Sequence, residues 1–158
     1  NTSQLKRRTN IMPLSDFQTM LWACKTFKPR ASKLNIVSRK RIQGTFDIQG
    51  LHVAFKSVLQ KHLILSYHIS NMLPIQFRCK TKAIKIIENH LQAMSPKDVE
   101  NRLWDSMLEL TRFSKWTANS ALVRAKLFYL NNNMVELQLA VPHIISDGIS
   151  IEILFNEL

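Results

Sequence analysis

Two alternating segments joined by Asn131-Asn132-Asn133 constrain this chain more than any other feature. Val123, Ala125, Leu127 and Tyr129 recur at every second position before the asparagines. Val135, Leu137, Leu139 and Val141 do the same after them. A period of two sends alternate side chains to opposite faces, so each run predicts a strand with one apolar face. Asparagine tolerates the backbone of a tight turn, so the two strands are expected to form a hairpin. Glu136 and Gln138 fall between the apolar positions of the second strand. The apolar face of such a pair needs another layer to cover it.

The rest of the chain supplies helices. Ser15-Asp16-Phe17-Gln18 has the form of a capping box, and Phe17, Met20, Leu21 and Cys24 follow at helical spacing. This predicts a helix from about 16 to 27, ending before Pro29, with Cys24 as a buried thiol. Leu34 to Phe46 alternates in places and reads as a strand ending near Gly44. Asp47 can cap a helix whose apolar face is Leu51, Ala54, Phe55, Val58 and Leu59. Leu63 to Ile69 is rich in strand formers, Asn71 to Pro74 reads as a turn, and Ile75–Cys79 and Ala83–Ile87 read as short strands. Ser95-Pro96-Lys97-Asp98 opens another helix, with Val99, Leu103, Met107 and Leu110 as its buried stripe. Ile151, Leu154, Phe155 and Leu158 mark a last one. The expected class is α/β, an α+β two-layer arrangement with helices packed on a mixed β-sheet.

At 158 residues and 46% apolar content the chain is expected to be a single domain, residues 1–158, with a real core. Only three glycines and five prolines argue against a linker-rich chain, and no internal repeat is visible. Cys24 and Cys79 lack metal-ligand spacing, which predicts a reducing, cytoplasmic setting and no metal. No apolar run reaches membrane-spanning length and no signal region follows the N-terminal charges, so no membrane partner is expected. The missing starting Met, and a last helix that runs to Leu158 with no cap, predict a fragment of a longer protein.

The formal net charge is +11. Its basic residues lie in short scattered groups: Lys6-Arg7-Arg8, Arg39-Lys40-Arg41, and Arg78 with Lys80 and Lys82. No nucleic-acid-binding motif accompanies them. A solvated basic surface is the first reading, a docking face for an acidic partner the second, and nucleic acid is not expected as a partner.

The second strand of the hairpin delivers His143, and Asp147-Gly148 follows before the last helix. Imidazole titrates near neutrality, so a histidine on a turn at a strand end can accept a proton from a hydroxyl or amine. Gly148 would let the backbone turn tightly, and Asp147 would orient its surroundings through a charge pair or hydrogen bonds to turn amides. Two other readings stand beside this one. His143 could be a strand-end histidine bonded to a carbonyl, with Asp147 an ordinary turn residue. His143 and Asp147 could be two metal ligands, but no third ligand lies nearby. His52, His62, His68 and His90 read as structural or exposed.

Pro142-His143-Ile144-Ile145-Ser146-Asp147-Gly148 resembles the His-His-x-x-x-Asp-Gly motif of the condensation domains of nonribosomal peptide synthetases, within the acyltransferase superfamily related to chloramphenicol acetyltransferase. Leu14 to Trp22 resembles that family's opening Ser-x-x-Gln-x-x-x-Trp motif. Gly44-Thr45-Phe46-Asp47, the helix from Leu51, and Lys61-His62-Leu63-Ile64-Leu65 resemble the segment ending in Arg-His-x-x-Leu-Arg. The three motifs occur in the family's order. Pro142 stands where the first histidine would be, Lys61 where the second motif has arginine, and Ser66 at its later arginine.

The resemblance implies the N-terminal lobe of a two-lobed, chloramphenicol-acetyltransferase-like fold, with the C-terminal lobe absent or supplied by a second chain. It implies an acyltransferase that moves an acyl or peptidyl group from a phosphopantetheine or coenzyme A thioester to an amine or hydroxyl, with no tightly bound cofactor. His143 would be the catalytic residue, and Asp147 and Gly148 would support the site, with Lys61, another cation or nothing as the partner of Asp147. An acidic carrier protein would be the partner. The departures at positions 142, 61 and 66 support a second reading, a degenerate lobe that binds a carrier or other partner without turnover.

Overall fold

The computed structural model describes residues 11–27, 34–79, 83–112 and 122–158. In chain order these form β1 (Ile11–Pro13), α1 (Asp16–Phe27), β2 (Asn35–Gln43), α2 (Ile48–Lys61), a 3₁₀ turn (Leu63–Ser66), β3 (Tyr67–Ile69), β4 (Ile75–Arg78), β5 (Ile86–His90), α3 (Pro96–Thr111), β6 (Arg124–Tyr129), β7 (Met134–Pro142) and α4 (Gly148–Glu157). Lys6-Arg7-Arg8, Pro29, Lys80 and Lys82 lie outside the described residues.

The hairpin forms as β6 and β7, with Ala125 opposite Leu139 and Leu127 opposite Leu137. Asn132 and Asn133 turn the chain at φ 60° and 52°, the left-handed region that asparagine tolerates better than most residues. β7 also pairs antiparallel with β2, and β5 pairs parallel with β6, giving a four-stranded mixed sheet in the order β2-β7-β6-β5. Gly44, just past β2, has φ +121°, a conformation that only glycine adopts cheaply. A second, three-stranded antiparallel sheet runs β1-β4-β3.

The mixed sheet carries helices on both faces. On one, Leu51, Phe55 and Val58 of α2 and Ile151, Leu154 and Phe155 of α4 pack against Leu127, Val135, Leu137, Leu139 and Val141. On the other, Leu103 of α3 packs with Leu91 and Phe128. Full burial of each such side chain is worth about 1.5–3 kcal/mol. The expected α+β class with a mixed sheet is what the structure has; α3 adds a layer on the second face. The caps at Ser15, Asp47 and Ser95 form as the sequence predicts, each side-chain oxygen accepting from the first turn of its helix. No helix among the described residues is long and apolar enough to cross a membrane.

Three expectations change. First, Leu63 to Ser66 is a 3₁₀ turn, and only Tyr67–Ile69 is a strand. Leu65 N–H donates to His62 O, and the Ser66 hydroxyl donates to Leu63 O, so local bonds compete with strand pairing and close a turn. Second, the stripe Phe17, Met20, Cys24 on α1 is exposed, and Cys24 is not a buried thiol. α1 docks by another face. Gln18 Nε2 donates to Ile144 O, Trp22 Nε1 to Ser70 O, and Lys25 Nζ to Asn71 Oδ1. These anchors lie about one residue of rotation from the apolar stripe, and only Leu21 of the predicted set is buried. Burial lowers the pKa of Lys25.

Third, Arg39 and Arg41 do not form a free basic surface. Glu136 and Gln138 point to the face under α3 and are 0% exposed. Arg41 Nε donates to Glu136 Oε2 at 2.7 Å, and Arg39 lies 3.6 Å from the same oxygen. Gln138 Nε2 donates to the other Glu136 oxygen at 2.8 Å and to Leu103 O at 3.1 Å. Arg41 also reaches Glu100 of α3. Bonds to Glu136 first and Glu100 second raise the pKa of Arg41. The network ties β2, β7 and α3 together.

Candidate active site

β7 ends at Pro142, which is fully buried, and the chain turns through His143-Ile144-Ile145 into α4. Five bonds fix this turn. His143 N–H donates to Leu34 O at 2.8 Å, extending the β2–β7 ladder by one step. Ile145 N–H and the Ser146 hydroxyl both donate to Pro142 O, at 3.1 and 2.9 Å. Gln18 Nε2 donates to Ile144 O at 3.0 Å. The Ile144 side chain is buried with Leu14, Leu21, Ile69 and Leu122 in a small core beneath the turn.

The fifth bond is the imidazole's own. His143 Nδ1 lies 2.8 Å from Ser146 O. A carbonyl oxygen only accepts, so Nδ1 must carry the proton, and Nε2 keeps a free lone pair in the neutral ring. Phe17 meets the ring edge-on, with centroids 5.6 Å apart and planes at 71°. His143 is half-buried: held on one side, open on the other.

Asp147 caps α4. Its backbone is extended at φ −128°, ψ −175°, and Oδ1 accepts from the Ser150 amide at 2.7 Å and the Ser150 hydroxyl at 2.6 Å. Those bonds, the hydroxyl's first, hold the carboxyl below its ordinary range. The Lys61–Asp147 pair expected from the sequence does not form. Lys61 Nζ and His62 Nε2 both bind Glu157, at 2.5 and 2.6 Å. Glu157 is at the far end of α4, a helix of ten residues and so about 15 Å long. Lys61 at the end of α2 therefore reaches the wrong terminus for Asp147. Bonds from Lys61 and then His62 lower the pKa of Glu157.

Gly148 differs from its expected role too. It takes no left-handed φ, because the extended Asp147 already directs the chain into the helix. A Cβ built on Gly148 meets nothing within 4 Å. Neither the backbone nor the packing of the folded chain therefore requires glycine at this position. Among the described residues no group of three or more His, Cys, Asp or Glu is placed to hold a metal.

A carbonyl beside His143 and a turn amide for Asp147 were both among the expected contacts, and they are Ser146 O and Ser150 N–H; the Glu157 partner of Lys61 and His62 was not expected. Ser150 was readable, since an acid followed three residues later by a helix amide is the usual cap geometry. The Glu157 contact, 95 positions from His62, had no local signal.

The cap has a measurable consequence. Asp147→Ala is expected to lower the melting temperature by a few degrees at neutral pH. The folded-state pKa is depressed, so the ionised cap stabilises above the ordinary carboxylate range, and that stability is lost as pH falls through the folded value. The difference between variant and wild type should shrink in acid. Melting curves from neutral to acid pH check this; a difference that persists would assign the loss to something other than the ionised cap.

The family model for the condensation domain matches residues 8–158. A linear gramicidin synthase polypeptide of Brevibacillus parabrevis is 29% identical over 160 residues, covering 96% of this chain and 3% of that protein. Gramicidin S synthase 2 of Aneurinibacillus migulanus is 29% identical over 148 residues, covering 92% of this chain and again 3% of that protein. Among solved structures, the starter condensation domain of the rhizomide synthetase RzmA, as a double mutant, superposes with a TM-score of 0.80 at 18% identity, over 93% of this chain and 36% of that one. The first condensation domain of the calcium-dependent antibiotic synthetase, in complex with a substrate analogue, gives 0.78 at 17% identity, over 93% and 37%. The chain thus spans a small part of the curated synthetases and little more than a third of the solved domains. With a family match over nearly its whole length and the same fold in the solved relatives, this chain belongs to the condensation-domain family of nonribosomal peptide synthetases.

Proposed function

We propose that this chain is the histidine-bearing N-terminal lobe of a condensation-type acyltransferase, and that His143 promotes attack of an amine or hydroxyl on an acyl or peptidyl thioester. The observation that carries the reading is the Nδ1 bond to Ser146 O, which leaves the outer Nε2 as the proton acceptor. As the nucleophile attacks, its proton passes toward Nε2, the new C–N or C–O bond forms, and the C–S bond breaks. The departing thiolate then recovers the proton from the imidazolium. Asp147 stays ionised as a helix cap and takes no part in the transfer.

The first amides of α4 have no partner within the helix. Ser150 N–H goes to Asp147, which leaves those of Gly148 and Ile149 as donors for a developing oxyanion. The thioester arrives on phosphopantetheine, borne by an acidic carrier protein, or on coenzyme A. The apolar stripe of α1 supports a covering surface on this side: Phe17 touches His143, and Phe17, Met20 and Phe27 are 51%, 52% and 77% exposed. A C-terminal lobe, in the same chain or another, would close over it.

Mass spectrometry of the full-length protein mixed with a carrier-bound thioester and an amine or alcohol acceptor tests this. An amide or ester product is expected. Carrier binding without product would mark a binding module instead. Gly148→Ala separates fold from chemistry at the same point. It is expected to keep or slightly raise the melting temperature, since alanine is the better helix former, while its methyl group, in the space left open for substrate, lowers turnover. Unchanged turnover would remove that space from the substrate's path.

A further inference from the structure

The capping-box glutamine of α1 uses both ends of its amide. Oε1 accepts from Ser15 N–H at 3.0 Å, closing the box with the Ser15 hydroxyl, which accepts from Gln18 N–H at 3.3 Å. Nε2 donates to Ile144 O at 3.0 Å, across 126 positions of sequence. The two bonds fix the amide's orientation, since a carbonyl can only accept and an N–H can only donate. Gln76 Nε2, 3.4 Å away, also points at Oε1 and in turn reaches Pro13 O.

A capping box needs only an acceptor at this position, and glutamate serves as well as glutamine. The second bond needs a donor. A carboxylate here would keep the cap, and would favour the helix N-terminus, but it would set its second oxygen against the Ile144 carbonyl. Helix formation alone therefore does not require glutamine at position 18; the His143 turn does. Ile144 is the residue after the imidazole, and Phe17, the residue before Gln18, lies edge-on to that ring.

We propose that Gln18 is a positioning residue for His143, holding the turn through the Ile144 carbonyl while its neighbour Phe17 bounds the imidazole. The proposal rests on the acyl-transfer reading for its effect on rate, but not for its effect on the turn. Loss of the bond lets the turn shift relative to the bound thioester, and small misplacements of a base are costly in rate, roughly ten- to a hundredfold.

The test compares Gln18→Glu with Ser15→Ala in the full-length protein, by hydrogen–deuterium exchange and by turnover. Gln18→Glu is expected to leave exchange in α1 unchanged, to speed exchange over residues 143–150, and to lower kcat about tenfold or more with KM little changed. Ser15→Ala removes only the cap, so it is expected to speed exchange at the start of α1 and leave residues 143–150 and kcat as in the wild type. Wild-type exchange over 143–150 in Gln18→Glu would overturn the proposal. So would equal effects of the two variants on the turn, which would make Gln18 a helix cap alone. If the wild type itself gives no product, the acyl-transfer reading fails, and the exchange comparison still decides whether Gln18 holds the turn.

Discussion

His143→Ala in the full-length protein is expected to lower the rate of acyl transfer by roughly 10²–10⁴-fold, the usual worth of a positioned general base, with no loss of melting temperature. The separation of the two effects is physical. The turn is held by backbone and neighbouring side chains: Leu34 O, Pro142 O, Gln18 and the buried Ile144. The imidazole adds one bond, to Ser146 O, and that bond fixes the ring rather than the fold. The ring is half-buried, so its removal opens no cavity in the main core. Steady-state rates with a carrier-bound thioester, beside thermal melts, measure both. A fall in rate that merely tracked a fall in stability would make His143 structural.

The second large effect lies on the opposite face of the sheet. Arg41→Met is expected to cost about 2–3 kcal/mol, because it leaves the Glu136 carboxylate buried without its main counter-charge, while the 40% exposure of the Arg41 side chain lets solvent screen the pair. Glu136 is 0% exposed, and its other contacts are the amide of Gln138 and the more distant Arg39. Arg39 compensates in part, which favours the lower end of that range. The double variant Arg41→Met/Glu136→Met removes both charges and is expected to recover most of the loss, since a buried ion pair often exchanges for apolar packing at little net cost. Urea unfolding of the chain gives the four corners of the cycle. If Arg41→Met costs under about 0.5 kcal/mol, the pair behaves like an exposed one and does not clamp α3 to the sheet.

These two sites show what the sequence could and could not disclose. The hairpin was legible because alternation and three asparagines act locally, and so were the caps at Ser15, Asp47 and Ser95. The hairpin's second strand also placed His143 at a strand end. The long-range partners were not legible, because each is set by register or docking. Glu136 meets Arg41 only once β2 pairs with β7, 95 positions apart. α1 turns its apolar stripe outward because carbonyls of Ile144 and Ser70 take Gln18 and Trp22, and no local period carries that information. Lys61 looked like a partner for Asp147 on motif spacing, yet the length of α4 puts Glu157 in its reach instead. Gly148 looked like a backbone necessity, yet it takes no left-handed φ and a Cβ there would meet nothing within 4 Å.

On the proposed mechanism the outer nitrogen of His143 receives the nucleophile's proton. The dependence of kcat/KM on pH in the full-length protein tests it most directly, because a base works only when deprotonated. The rate is expected to fall about tenfold per pH unit on the acid side through one ionisation, and the residual rate of His143→Ala to lack this ionisation. The same acid limb in wild type and variant, or a wild-type rate that does not fall in acid, would rule this out.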